Sequence, residues 1–298
     1  MNMIIPSFLQ PGDQIAIVAT AGKITSAELT PALTILKKWK LDVLLSSTLY
    51  NSSHQMAGTD EERKKGLQEM LDHRTVKAIL CARGGYGTTR FIDQLDFSLF
   101  KKYPKWICGF SDITALHLHL YQLGFQSIHG TMPILFSKNS SEALESLKNT
   151  LLGKINPLVV SSNPLNKKGK KSGELVGGNL SLLVHVIGTK SDVNMDGKIL
   201  FIEDLDEYLY HLDRMMVQLK RAGKLKNLAG LVVGGMTQMK DNPLPFGKTI
   251  YEIIADAVKE YSYPVAYGFP IGHISDNRSV IHGRISTLEV NDHQVKLS

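Results

Sequence analysis

The chain has 298 residues, 43% of them apolar and 21% charged, the balance of a globular protein with enough length for one large or two medium domains. Thirty-four basic against twenty-eight acidic residues leave a net charge of +6, but part of that excess is the run Lys167, Lys168, Lys170 and Lys171, a solvated linker pattern with no aromatic interleaving or nucleic-acid motif, so nucleic acid is not an expected partner. No apolar stretch approaches the ~18 residues of a membrane span, and the first six residues lack the charged start and apolar run of a signal peptide; a cytoplasmic protein without membrane contact is expected.

Residues 14–20 (QIAIVAT) read as a first buried strand, entered through Pro11-Gly12-Asp13. Leu29, Leu33 and Leu36 lie at helical spacing and predict a helix over 26–41, after which 42–49 returns to a strand-like run. Thr59 and Glu62 have the spacing of a capping box and open a helix to about His73, followed by a strand over 76–82 (VKAILCA). The turn Arg83-Gly84-Gly85-Tyr86-Gly87 comes next, then a helix through Phe91, Ile92 and Leu95. Residues 106–110 form a buried strand, and Ile113, Leu116, Leu120 and Leu123 mark a helix that stops at Gly124. A short run at 127–130 and a helix over 141–152 complete this half. Such alternation predicts an α/β fold, here a three-layer domain over 1–153 with a mostly parallel sheet, whose ligands bind beyond the carboxyl ends of the strands. Cys81 and Cys108 fall in its strands and read as small buried hydrophobes, not as a disulfide or a thiol catalyst.

From Gly153 the pattern lapses into Pro, Ser, Asn, Lys and Gly, which predicts a linker over 154–173. A smaller mixed-sheet α/β domain is expected over 174–298. Gly177-Gly178-Asn179-Leu180 leads into a short apolar helix; strands follow at 198–204 (KILFIED), 228–236 and 264–269, with helices over 207–222 and 249–261. The last strand runs into Pro270-Ile271-Gly272-His273, and the alternating tail around Asn291-Asp292 predicts a closing hairpin.

Ser111 stands where strand turns into helix, beside free backbone N–H groups and the positive end of the next helix, which suits a nucleophile whose oxyanion needs donors already in place. Ser and Asp are also preferred helix caps, so Ser111 or Asp112 has a purely structural reading as well. The Arg83 to Gly87 turn matches neither G-x-G-x-x-G nor the P-loop; it suits instead a backbone N–H aimed at the acyl oxygen held by Ser111, the N–H of Asp112 being the other half of the hole. His117 and His119 are two apart on a helix and face different ways, and no H-E-x-x-H or paired cysteines occur, so no metal is expected. His273 sits at a strand end beside Gly272. Glu203 and Asp204 end another strand, and because successive strand side chains point to opposite faces only one of them looks toward such a site; periodicity leaves the choice open. The order serine, acid, histidine is that of the α/β-hydrolase triad, but Ile113 stands where the second glycine of that fold's elbow belongs.

These residues resemble the LD-carboxypeptidases, a family that includes the microcin C self-immunity peptidases. The resemblance runs through Pro11-Gly12-Asp13, Arg83-Gly84-Gly85-Tyr86-Gly87, Gly109-Phe110-Ser111-Asp112, Gly177-Gly178-Asn179-Leu180, Phe201-Ile202-Glu203-Asp204 and Gly268-x-Pro270-x-Gly272-His273, with Phe110 where the family more often has Tyr. It implies Ser111 as nucleophile, His273 as general base, Glu203 and not Asp204 as the orienting acid, and oxyanion donors at the backbone of Gly85 and Asp112. A two-domain chain is implied, often a homodimer, with the triad assembled across the domain cleft and no metal or nucleotide cofactor. The implied reaction is release of terminal D-Ala from murein tetrapeptides in cell-wall recycling, with Arg83 available to pair with a substrate carboxylate. Two alternatives stand beside it: hydrolysis of microcin C-type peptidyl-nucleotides, and a non-catalytic two-lobed ligand-binding protein.

Overall fold

Strand β1 (Gln14–Val18) shows how the first half is built: Ile15 and Ile17 enter one apolar cluster while Ala16 and Val18 enter another, so a single strand feeds cores on both faces of its sheet. The computed structural model describes residues 3–292 and 294–298 of this chain, which divides into two compact units, Met1–Ile155 with Ser275–Ile281 and Asn156–Ile274 with His282–Ser298.

In the first unit β1 is followed by α1 (Ser26–Lys38), β2 (Asp42–Leu45), α2 (Asp60–Asp72), β3 (Val76–Cys81), α3 (Ser98–Lys102), β4 (Trp106–Gly109), α4 (Thr114–Gln122), β5 (Ser127–His129) and α5 (Ser141–Leu151). Thr25 with Glu28, and Thr59 with Glu62, form complete capping boxes that start α1 and α2. The sheet runs β5-β4-β3-β1-β2, all paired parallel, with a short strand at Val280–His282 on the edge beside β5. Leu29, Ala32 and Leu36 of α1 cover one face with Leu147 and Leu151 of α5; Leu67, Met70 and Leu71 of α2 cover the other with Leu116 and Leu120 of α4. This is the expected three-layer α/β architecture. Cys81 and Cys108 are buried and unbridged, and burial pushes the Cys81 thiol up to about 12. Two corrections arise here. The helix expected through Phe91 and Leu95 is two 3₁₀ turns, Thr88–Arg90 and Ile92–Gln94, and the second strand stops at Leu45.

The second unit contains β6 (Leu158–Val160), β7 (Gly169–Asn179), α6 (Leu180–His185), β8 (Ile199–Leu205), α7 (Leu209–Arg221), β9 (Gly230–Thr237), α8 (Ile250–Val258) and β10 (Val265–Tyr267). With the edge strand of the first sheet counted as β11, β12 (Ile285–Val290) and β13 (Val295–Leu297) close the chain. The sheet order is β10-β9-β8-β7-β12-β13-β6, parallel from β10 to β7 and antiparallel beyond, a mixed sheet as expected, with β12 and β13 as the tail hairpin. The stretch expected as a linker, 154–173, carries β6 and the first residues of β7. Its Lys and Ser composition belongs to an exposed sheet margin, where Lys170 pairs with Glu289 on β12. Among the described residues no helix is long and apolar enough to cross a membrane.

Candidate active site

At the carboxyl end of β4 the chain reverses through Ser111, whose φ of 64° lies in the left-handed region that non-glycine residues rarely occupy. A 3₁₀ turn, Ser111–Ile113, then leads into α4. Gly109 makes the reversal possible: a Cβ there would stand 2.9 Å from Cγ1 of Ile113, which is fully buried in the space glycine leaves. The missing second glycine of the elbow is thereby explained, since Ile113 is a core residue in this chain. His117, also fully buried, bonds Ser127 Oγ through Nδ1 (2.8 Å) and the Gly109 carbonyl through Nε2 (2.9 Å); burial drives its imidazole down to about 4, which keeps it neutral. It buttresses the elbow from below, a role that helical spacing alone did not reveal.

The Gly-rich turn lies directly against the serine. A Cβ built on Gly84 would fall 3.0 Å from Ser111 Cβ and 3.1 Å from its Oγ, so only glycine lets the hydroxyl and this backbone approach so closely. Gly85 has φ 121°, and its N–H meets no acceptor among the described residues. The turn is fixed from one side by Gly22 N–H donating to the Gly84 carbonyl (3.0 Å) and from another by the Asp112 carboxylate, which accepts from Gly87 N (3.2 Å) and Thr88 N (3.0 Å). Asp112 is therefore not a helix cap. Arg83 is exposed, with Nη1 donating to the Lys23 carbonyl at 3.2 Å.

In the second unit, Glu203 and Asp204 stand near the end of β8, both buried. Glu203 Oε2 accepts from His273 Nδ1 at 2.5 Å and from the His273 backbone N–H at 3.2 Å. Asp204 goes elsewhere, accepting from Asn179 Nδ2 (2.8 Å), Ser181 N (3.0 Å) and Leu205 N (2.9 Å). The alternation that made the two acids indistinguishable in sequence is resolved by their partners: Glu203 meets the histidine, and Asp204 meets the start of α6. Gly272, at φ 101°, leaves room for this pair, because a Cβ there would come within 2.5 Å of Glu203 Cβ and Cγ. The loop carrying His273 is tied to β9 by Gly235 N–H on the Ile271 carbonyl (2.8 Å) and Thr237 Oγ1 on the His273 carbonyl (3.1 Å).

With Nδ1–H donating to a carboxylate, the neutral ring carries its lone pair on Nε2, the tautomer a general base needs. Burial alone would lower the His273 pKa, but the hydrogen bond and charge of Glu203, with the charge of Asp204 behind it, raise it above the ordinary 6.5. Burial together with the neighbouring Glu203 charge lifts Asp204 to about 6 against the pull of its three donors. Among the described residues no group of three His, Cys, Asp or Glu side chains is placed to hold a metal ion.

The model of the LD-carboxypeptidase N-terminal domain matches residues 15–130, and that of the LD-carboxypeptidase C-terminal domain matches residues 172–288. The chain belongs to the LD-carboxypeptidase family. Membership makes it a carboxypeptidase. It is 36% identical to the "Probable murein peptide carboxypeptidase" of Bacillus subtilis (strain 168) over 286 residues, covering 92% of this chain and 88% of the relative. The crystal structure of muramoyltetrapeptide carboxypeptidase from Oxalobacter formigenes superimposes with a TM-score of 0.87 at 30% identity, covering 95% of this chain and 97% of the other. An MccF-like protein from Bacillus anthracis (strain Ames) shares the fold, with a TM-score of 0.86 at 23% identity over 99% of this chain and 98% of its own.

Proposed function

We propose that this LD-carboxypeptidase is a cytoplasmic serine peptidase that releases terminal D-Ala from murein tetrapeptides during cell-wall recycling, cutting the bond between the L-centre of the diamino acid and D-Ala. The observation that carries the proposal is the buried Glu203 carboxylate on His273 Nδ1, which orients an imidazole as a base through Nε2. Relatives named for murein peptides and muramoyltetrapeptides support the substrate class.

In this reading His273 Nε2 takes the proton of Ser111 Oγ as the oxygen attacks the scissile carbonyl carbon. The backbone N–H groups of Gly85 and Asp112 receive the developing oxyanion. Collapse of the tetrahedral intermediate breaks the C–N bond, and D-Ala leaves with the proton from His273. Water, deprotonated by the same imidazole, then hydrolyses the acyl-enzyme. Glu203 stabilises the imidazolium at both stages. A carboxypeptidase must also hold a terminal carboxylate, and Arg83, beside the Gly-rich turn, is assigned to it. The enzyme works as a homodimer in this proposal, which light scattering behind a sizing column tests.

A second reading, hydrolysis of peptidyl-nucleotides, draws on the half-exposed pair Tyr208 and Tyr210 at the start of α7, whose ring centroids lie 5.7 Å apart and which offer a nucleobase a stacking surface. The deciding experiment incubates the purified enzyme with L-Ala-D-Glu-diaminopimelate-D-Ala or with a peptidyl-adenylate and follows free D-alanine and free nucleotide by mass spectrometry. D-Ala release is expected, falling about a thousandfold or more in Ser111→Ala, Glu203→Ala and His273→Ala. Release that survives Ser111→Ala overturns the mechanism, and turnover of the peptidyl-adenylate alone overturns the substrate.

A further inference from the structure

Asp112 follows the elbow serine, yet its carboxylate serves neither helix beside it: the 3₁₀ turn at Ser111–Ile113 and α4 both start without a side-chain cap. It reaches instead to residues 25 and 24 positions earlier, holding the N–H groups of Gly87 and Thr88 at 3.2 and 3.0 Å while only 1% exposed. Taking a carboxylate out of water is unfavourable unless donors and charge replace the lost hydration. Here burial outweighs the donors and holds the Asp112 carboxyl above its ordinary value, while the two N–H groups and the charge of Arg63 pull the other way. Arg63 is itself 1% exposed beneath the turn, with Nη1 on the Thr20 carbonyl at 2.9 Å, an ion pair to Asp60, and its guanidinium 5.4 Å from the Phe91 ring. It fills the space a Cβ on Gly87 would need, at a residue whose φ is 129°. A turn needing positive φ at both Gly85 and Gly87 has little conformational preference of its own, so its position is set by what grips it.

We propose that the Asp112 side chain is a positioning residue for the oxyanion turn, clamping the segment that presents Gly85 N–H into fixed register with Ser111 Oγ. The proposal rests on the reading of Ser111 as nucleophile and Gly85 as donor. One residue then links both parts of the hole, its own N–H supplying one donor and its carboxylate placing the other. The grip acts on developing charge more than on bound substrate, so its loss is felt in kcat and not in KM.

The test compares wild type with Asp112→Asn, which turns one accepting oxygen into an NH₂ facing an N–H donor, and Asp112→Ser, which withdraws the acceptor. Each is reacted with an alkyl fluorophosphonate, in which Ser111 Oγ bonds phosphorus as fluoride leaves and the phosphoryl oxygen needs the same donors. Labelling rate and kcat for D-Ala release are expected to fall about 10- to 100-fold, with KM within about threefold and a native near-ultraviolet circular dichroism spectrum. Folded variants that label and turn over within about twofold of wild type overturn the proposal. Failure of both variants to fold also overturns it, assigning Asp112 to stability alone. If wild-type Ser111 is not labelled, the nucleophile reading has failed and the clamp is read from amide exchange: loss of Gly87 and Thr88 protection in Asp112→Asn supports it, and unchanged protection overturns it.

Discussion

Two strand ends carry the chemistry proposed for this enzyme, and they are held by different forces. At the end of β4, Ser111 is placed by conformation: a left-handed φ of 64°, a Gly84 backbone that tolerates no Cβ beside it, and a turn with φ of 121° and 129° at Gly85 and Gly87. At the end of β8 and in the loop after β10, Glu203 and His273 themselves have no left-handed backbone, and what holds them is a buried 2.5 Å hydrogen bond with a second carboxylate, Asp204, behind it. A site built on torsion answers to atomic volume and chain stiffness, whereas one built on buried charge answers to protonation. The proposed half-sites should therefore fail in different ways.

The largest loss short of removing the nucleophile is expected from Glu203→Gln, which keeps shape and removes charge. Loss of the orienting carboxylate in a triad costs about 10⁴ in kcat. The pH profile adds a signature. His273 must be neutral to act as base, so activity in wild type rises through its raised pKa, with the acidic limb above 6.5. The same pair stabilises the fold fully below 6.5 and loses that contribution as pH climbs through the folded value. In Glu203→Gln, burial remains as the dominant influence and the limb moves down. A limb that stays in place would break the claim that this half is held by charge.

Gly272→Ala tests whether volume matters in that half too. A Cβ at φ 101° within 2.5 Å of Glu203 must displace the carboxylate, so rate should fall by one to two orders of magnitude, with about 1–3 kcal/mol of stability lost from strain. Urea midpoints and D-Ala release measure both.

Ser111→Gly sharpens the other side. It abolishes activity like Ser111→Ala but relieves the left-handed strain, and should be more stable than the alanine variant by about 0.5–1 kcal/mol in urea titration. An alanine variant equal to glycine would mean that the elbow stores no strain.

The smallest effect belongs to Asp204→Asn. Its charge is the last of the influences raising His273, so the acidic limb should move down by less than in Glu203→Gln. A carboxyl group at about 6 in the folded protein and 3.8 when unfolded lets stability decline as pH rises between those values, and the asparagine variant should flatten that slope in thermal scans.

The strand, turn and helix around Ser111 are legible in the sequence because apolar periodicity changes from buried run to helical spacing at that residue. Its backbone torsion is not, since serine carries no mark of a left-handed conformation. Glu203 and Asp204 are inseparable by residue type; what separates them is Asn179 and the start of α6, brought beside Asp204 by parallel pairing of β7 with β8. The lysine-rich stretch resembles a linker because one margin of a mixed sheet faces water, where polar alternation and loop composition coincide. The return of Ser275–Ile281 to the first unit has no compositional signal at all. The sequence marks Asp112 as an N–H donor or a helix cap; that its side chain reaches back to Thr88 follows only from the fold.

Strand β7 serves two neighbours in succession, antiparallel to β12 over residues 169–174 and parallel to β8 over 175–179. Its last residue, Asn179, holds Asp204 beside Glu203. The C-terminal hairpin thus shares β7 with the acid. Tension applied at Ser298 would unzip β13 and then β12, stripping the first half of β7 of its antiparallel neighbour while the half paired with β8 keeps its own.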